Sequence, residues 1–113
     1  MSKGYTAFQL NEELKEGCIL LGATKAVTQH FKVGVPLIPD EFWETTIFIP
    51  KDSKKQLCKV LYKVVCKYLE LLEEEGFYCA EPLLEYSFGA PRIVYAIFPD
   101  GKSFTEKKLN CDI

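Results

Sequence analysis

Residues 51–75 place apolar and charged side chains at the spacing of an α-helix. At about 100° per residue, the apolar positions share one stripe and the charged positions lie opposite. The stripe contains Leu57, Leu61, Val64, Val65, Tyr68 and Leu72, and the opposite face contains Lys55, Lys59, Lys63, Lys67, Glu70 and Glu74. Asp52 or Ser53 suits the N-cap, and Gly76 suits the left-handed position after the last turn. The pattern predicts one long amphipathic helix.

Shorter runs rich in β-branched and aromatic residues flank this helix and predict β-strands. They are residues 45–49, 77–80, 83–88 and 92–98. Gly89, Ala90 and Pro91 separate the last two runs, which is typical of a hairpin. A turn is predicted at residues 99–102, followed by a short element near Phe104. The C-terminal half is therefore expected to be a helix followed by an antiparallel meander.

The periodicity is weaker in the first forty residues. Residues 8–16 predict a short helix that ends at Gly17, and residues 18–23 predict a buried strand. An alternating set then predicts a half-buried strand, for which a helix over residues 24–31 is the alternative. The alternating residues are Val27, Phe31, Val33, Val35 and Leu37. Residues 34–43 contain two prolines and predict a loop.

Together these elements predict an α+β fold, with one long amphipathic helix packed on an antiparallel sheet of about four to five strands. The 113 residues, 48% of them hydrophobic, suit a single domain with its own core. A helix of about 23 residues is about 34 Å long. That length exceeds the width of a small sheet, so one end of the helix is expected to project or to meet a partner.

The net charge of −2 conceals a separation of charge along the helix. Residues 51–69 have six lysines and one aspartate, whereas residues 70–91 have six glutamates and no base. A helix favours acids near its N-terminus and bases near its C-terminus, so this order is inverted. Lysines four residues apart add repulsion of about 0.2–0.5 kcal/mol per pair. A local rule broken in this way is where function is worth seeking.

Three interpretations fit the lysine row. It is a solvated face, or a surface that binds nucleic acid or another polyanion, or half of a self-complementary contact. In the third case, two copies of the helix lie antiparallel about a twofold axis, and the basic half of each meets the acidic half of the other. Only the third interpretation explains the glutamates as well as the lysines. The acidic block also argues against a duplex lying along the whole helix.

No catalytic, cofactor or metal motif is recognisable. The five cysteines are Cys18, Cys58, Cys66, Cys79 and Cys111. Their odd number and irregular spacing predict free thiols. Cys58 is expected to flank the core and Cys66 to lie at the boundary with solvent, where it is the more reactive of the two. The lysine-rich, arginine-poor composition favours a thermophilic source.

An enzyme whose active site is assembled from dispersed residues is a further hypothesis. Its participants would be Cys66, His30, the only histidine, and the glutamates. A cleft that holds His30 beside a cysteine or a carboxylate would support it.

The leading hypothesis is a small protein-binding or regulatory domain without catalytic activity, cofactor or metal. It binds itself as a homodimer or binds another protein, and nucleic-acid binding through the lysine row is the alternative. Phe42 and Trp43 either cover the sheet or anchor a partner. The predicted binding residues are Lys55, Lys59, Lys63, Lys67, Glu70, Glu74, Phe42 and Trp43. With no long apolar run and no secretory signal, a cytoplasmic protein without a membrane anchor is expected.

Overall fold

The computed structural model describes the backbone of residues 3–33, 40–53, 55–87 and 89–99. Two helices and five strands follow one another along this part of the chain. They are α1 (Lys3–Leu21), β1 (Lys25–Val33), β2 (Asp40–Phe48), α2 (Lys55–Glu74), β3 (Tyr78–Cys79), β4 (Leu83–Ser87) and β5 (Ala90–Phe98). All strand pairs are antiparallel, and the helices pack on one face of the sheet. The predicted α+β fold is confirmed, with a second long helix in α1.

The strand order is β1-β2-β5-β3, and β4 pairs with β5 on the same edge as β3. Cys79 pairs with Ile97, whereas Leu83 pairs with Val94, so one extra residue lies on the β3–β4 side. This extra residue has the form of a β-bulge. Pro82 lies within the bulge, where its missing N–H is tolerated. Its carbonyl accepts a hydrogen bond of 2.9 Å from the Tyr62 hydroxyl of α2.

The core lies between the helices and the inner face of the sheet. Strand β5 alternates buried and half-buried positions, and its inward residues meet the apolar stripe of α2. The buried members of that stripe are Cys58, Leu61, Val65, Leu69 and Leu72. The predicted stripe is confirmed with a shifted centre, since Leu57, Val64 and Tyr68 lie at its half-buried margin. Cys58 is a core residue rather than a flanking one.

The C-terminus of α2 ends in a Schellman motif. The Phe77 amide donates to the Leu72 carbonyl at 3.0 Å, and the Gly76 amide donates to the Glu73 carbonyl at 3.0 Å. Gly76 has φ of 98°, a conformation that only glycine adopts without strain. Phe77 and Leu72 are both buried, which adds the apolar contact that often accompanies this motif. The predicted role of Gly76 is confirmed.

The same motif ends α1, five residues later than predicted. The Ala23 amide donates to the Cys18 carbonyl at 2.9 Å, and Gly22 has φ of 127°. The predicted helix end at Gly17 and the predicted strand at 18–23 are therefore wrong. Gly17 lies inside α1, where a glycine costs about 1 kcal/mol relative to alanine but does not by itself stop a helix.

The predicted strand around Val27 is confirmed, and the alternative helix at 24–31 is wrong, because β1 pairs with β2 along its whole length. The loop predicted at 34–43 is wrong at its end, since β2 begins at Asp40. Two successive apolar residues do not show the alternation expected of a half-buried strand. In β2, however, Phe42 and Trp43 point to opposite faces of the sheet, and each face has a place for one of them. Val35, Leu37, Phe104 and most of the predicted 99–102 turn lie outside the described residues.

The hairpin between β4 and β5 is confirmed with a shorter connection than predicted. Ser87 pairs with Ala90, so only residues 88 and 89 connect the strands. Gly89 has φ of 81°, while Ala90 and Pro91 belong to β5. Within the described part of the chain, neither helix combines the length and the apolar character needed to cross a membrane.

Candidate functional site

The charged face of α2 consists of side chains that point into solvent. They are Lys55, Lys59, Lys63, Lys67, Glu70 and Glu74, and all six are exposed. The first turn of α2 contains no acid and its last turn no base. The ion pairs between described residues are Lys15 with Glu12 and Arg92 with Glu85. None of the six charges therefore has an ionic partner in the described part of the chain.

A groove beside this charged face separates α2 from the edge strand β4. Lys59, Tyr62 and Lys63 form its α2 side, and Leu83 and Leu84 form its β4 side. Leu83 is 58% exposed and Leu84 is 37% exposed. The groove therefore combines exposed aliphatic side chains with charges that have no ionic partner among the described residues.

Two thiols at α2, those of Cys66 and Cys79, are poor nucleophiles. Burial raises the pKa of the Cys79 thiol to about 12, and the charge of Glu73 adds to this effect. Burial likewise raises the pKa of the Cys66 thiol, with smaller contributions from Glu70 and Glu81. Cys66 is half-buried, as expected for a residue at the solvent boundary. Because the thiolate is the reactive form, neither environment activates a cysteine.

A second site lies between α1 and the inner face of the sheet, and it is built on a buried ring of hydrogen bonds. Asn11 Nδ2 donates to Thr28 Oγ1 at 3.0 Å, and Thr28 Oγ1 lies 2.9 Å from Thr45 Oγ1. Thr45 Oγ1 in turn donates to Asn11 Oδ1 at 3.4 Å, which closes the ring. The Tyr95 hydroxyl also donates to Asn11 Oδ1, at 2.5 Å. These four side chains join α1 to β1, β2 and β5.

A cleft of about 310 Å³ opens above this ring. Its lining includes Phe8, Glu12 and Lys15 from α1, His30 from β1 and Trp43 from β2. The His30 and Trp43 rings are stacked, with centroids 5.1 Å apart and planes 17° apart. The Lys15 ammonium and the Glu12 carboxylate form an ion pair at 3.2 Å. We call this site the α1 cleft.

The α1 cleft changes the interpretation of Phe42 and Trp43, which the sequence groups as one loop feature. Trp43 is half-buried and lines the cleft on the inner face of the sheet. Phe42 is buried on the opposite face, where its ring stacks between Phe31 and Phe98 at centroid distances of 4.9 and 5.3 Å. The structure therefore places these two residues on opposite faces of the sheet, and both belong to β2 rather than to a loop.

Sequence reasoning did not find the hydrogen-bonded ring. Asn11 and Tyr95 are 84 positions apart, and neither belongs to a recognisable motif. One signal was available, because Ala7, Asn11, Leu14 and Cys18 are spaced as one helical stripe. An asparagine in the middle of such a stripe indicates a buried amide that requires partners.

The enzyme hypothesis required His30 beside a cysteine or a carboxylate, and the α1 cleft does contain both His30 and Glu12. The Glu12 carboxylate, however, pairs with Lys15, and the His30 ring stacks on Trp43. Among the described residues there is also no group of three or more histidines, cysteines and acids that could hold a metal ion. His30 and Glu12 therefore share one cleft, and each has a further contact within it.

No family model matches this sequence, and no curated protein or solved structure is significantly similar to it. The function of the chain can therefore be inferred only from its own residues and their arrangement.

Proposed function

We propose that this protein is an interaction domain that forms a homodimer through the charged face of α2 and the neighbouring edge of β4. The observation that carries the proposal is the separation of charge on this exposed face, with lysines in one half, glutamates in the other, and no ionic partner for either among the described residues. A face of this kind is complementary to a second copy of itself turned through 180°.

A single twofold axis satisfies two charge pairs at once. With two α2 helices antiparallel, Lys59 faces Glu74 of the partner subunit, and Lys63 faces Glu70 of the partner subunit. The residue numbers in both pairs add to the same total, so one register produces both contacts. The symmetry repeats each contact, giving four ion pairs. The axis crosses α2 between Cys66 and Lys67, so the two exposed Lys67 side chains lie near each other and their repulsion offsets part of this attraction.

The charges orient the two copies, but they do not supply enough free energy to hold the dimer. An exposed ion pair contributes about 0.2–1 kcal/mol, so four pairs contribute about 1–4 kcal/mol. Association costs about 4–15 kcal/mol in lost translational and rotational freedom. The remainder must come from apolar surface, at up to about 1.5–3 kcal/mol for each leucine that becomes fully buried. Leu83 and Leu84 border the lysines and provide this surface.

Charge reversal in each half of the face tests the proposal. One variant carries Lys59→Glu and Lys63→Glu, and a second carries Glu70→Lys and Glu74→Lys. Each variant alone opposes like charges across the twofold axis, so we expect both to be monomeric in sedimentation equilibrium at about 50 mM salt. An equimolar mixture opposes unlike charges at all four contacts, so we expect it to form a heterodimer. The four substitutions in one chain should restore the homodimer.

The matched control changes the same kinds of charge elsewhere. Lys51→Glu with Glu13→Lys alters two exposed residues outside α2 and should leave the wild-type dimer intact. A wild-type protein that is monomeric at every salt concentration would contradict the proposal. Reversal variants that dimerise as tightly as the wild type would contradict it equally, because the charged face would then have no part in the contact.

Nucleic-acid binding is the second candidate, favoured by four exposed lysines at one-turn spacing on one helix face: Lys55, Lys59, Lys63 and Lys67. The two functions predict opposite results for the Glu70→Lys, Glu74→Lys variant. Added lysines should strengthen binding to RNA or DNA, because affinity rises with the number of phosphates neutralised, whereas they should weaken the homodimer. A gel-shift assay at about 50 mM salt that shows no binding by this variant would eliminate the candidate.

A further inference from the structure

We propose that the α1 cleft binds a small, uncharged, planar heterocycle that accepts a hydrogen bond from the Asn11 side chain. This site is distinct from the charged face of α2, and it does not depend on the proposed homodimer. The polar floor, the aromatic walls and the charge balance of the cleft each restrict the ligand in a different way.

The floor requires a hydrogen-bond acceptor from the ligand. Asn11 is 6% exposed, and its Oδ1 already accepts from Thr45 and Tyr95. One of its two Nδ2 hydrogens goes to Thr28. The second has no acceptor among the described residues, although an amide has two N–H groups to satisfy. A buried donor left unpaired is unfavourable, so an acceptor in the cleft would gain binding free energy here.

The walls favour a flat ring. Phe8 and Trp43 line the cleft together with His30, whose ring stacks on Trp43. Phe8 is 65% exposed, so a ligand in the cleft would bury part of its ring. Aromatic rings prefer offset-stacked or edge-to-face partners, and a planar heterocycle provides both a face and an edge for such contacts.

The charges favour an uncharged ligand. Glu12 and Lys15 are the two formal charges at the rim, and they neutralise each other at 3.2 Å. A cationic or anionic ligand would have to share one of these groups with its existing partner, and it would meet a like charge beside it. The volume of about 310 Å³ is near the lower limit of ligand pockets, about 300–1,000 Å³. One- or two-ring molecules therefore fit better than larger ones.

Adenine and indole test the inference as a matched pair. Both are bicyclic, planar and uncharged at neutral pH, but only adenine has ring nitrogens that accept hydrogen bonds. We expect adenine to shift the Asn11 side-chain amide and Trp43 indole signals in ¹H–¹⁵N NMR spectra, saturably and together. Indole should bind about tenfold more weakly, since it leaves the Asn11 hydrogen unpaired. Trp43 is the only tryptophan, so its signal is unambiguous.

A pair of variants separates binding in the cleft from nonspecific stacking. Phe8→Ala removes an exposed wall residue and should weaken adenine binding without unfolding the protein. Leu20→Ala is the control, because Leu20 is 87% exposed on the same helix and does not line this cleft. Adenine that binds no more tightly than indole, or that binds Phe8→Ala as tightly as wild type, would overturn the proposal. A complete absence of saturable adenine shifts would overturn it as well.

Discussion

The two helices pack on the same sheet face by different physical means. The buried stripe of α2 is apolar throughout, and its opposite face is charged. The buried stripe of α1 contains Asn11 at its centre, and its outer surface exposes large apolar side chains. Those exposed residues are Phe8, Ile19, Leu20 and Leu21. In α2 the division between core and solvent is visible in the sequence. In α1 it depends on the hydrogen-bond partners that the strands supply to Asn11.

This difference explains how the two helices attach to the sheet. An apolar stripe is non-directional, because burial of apolar area contributes free energy with little regard to orientation. A hydrogen-bonded ring fixes one arrangement, since its donors and acceptors must align. Asn11 therefore sets where α1 sits over β1 and β2, and the cleft above the ring is a consequence of that placement.

The largest expected effects come from exchanging the two kinds of buried residue, with an asparagine placed in α2 and a leucine placed in α1. Leu61→Asn places an amide without partners in the apolar stripe of α2. We expect a loss of about 3–5 kcal/mol, from lost leucine burial and an unpaired amide. Asn11→Leu leaves Tyr95 and two threonines without their amide, and should cost about 1–3 kcal/mol. Urea denaturation measures both values.

Exposed positions provide the controls for this exchange. Leu20→Asn repeats the change of Leu61→Asn on the solvent side of α1, and Glu13→Leu places a leucine at an exposed polar position of the same helix. Each should change stability by less than about 0.5 kcal/mol. If Asn11→Leu were instead to stabilise the protein, α1 would be held by apolar contacts alone, and the contrast between the helices would disappear.

The sequence predicted those parts of the fold that depend on the spacing of apolar residues along one element or on the residues of one turn. α2, its glycine end at Gly76 and the β4–β5 hairpin follow from residues close in the chain. The end of α1 was misplaced because Gly17 and Gly22 are equally good candidates for a helix end in the local sequence. Only the left-handed backbone at Gly22 distinguishes them. The α1 cleft was missed because its ring joins Asn11 to residues as distant as Tyr95. Hydrogen bonds between residues so far apart in the chain produce no periodic pattern in the sequence.

Alanine substitutions at Gly17 and Gly22 test where α1 ends, with smaller expected effects on stability. Gly17→Ala introduces a Cβ that meets no atom within 4 Å, and should stabilise the protein by about 0.5–1 kcal/mol through helix propensity. Gly22→Ala forces a side chain onto φ of 127°, with its Cβ 3.4 Å from Leu57 Cδ2 of α2. We expect a loss of about 1–3 kcal/mol. Opposite signs in thermal or urea denaturation confirm the position of the helix end, whereas equal signs would contradict it.

The smallest predicted effect concerns the inverted charges of α2. Lys55→Glu places a carboxylate in the first turn, where the helix dipole favours it by about 0.3–1 kcal/mol. The new carboxylate also precedes Lys59 by four residues, which adds about 0.2–0.5 kcal/mol. The monomer should therefore become more stable, by an amount that about 1 M salt largely removes through screening.

Lys55→Gln is the control, since it removes the lysine charge without adding an acid and should give about half of this gain. Lys55 is outside the two charge pairs proposed for the homodimer, so dimerisation should persist in both variants. If Lys55→Glu destabilised the monomer, the lysines of α2 would have an intrachain role, and their order would need no partner to explain it. A gain in stability with unchanged dimerisation would mean that the inversion is unfavourable within one chain at Lys55. Among the lysines of α2, only Lys59 and Lys63 would then have a role in the contact between the two copies.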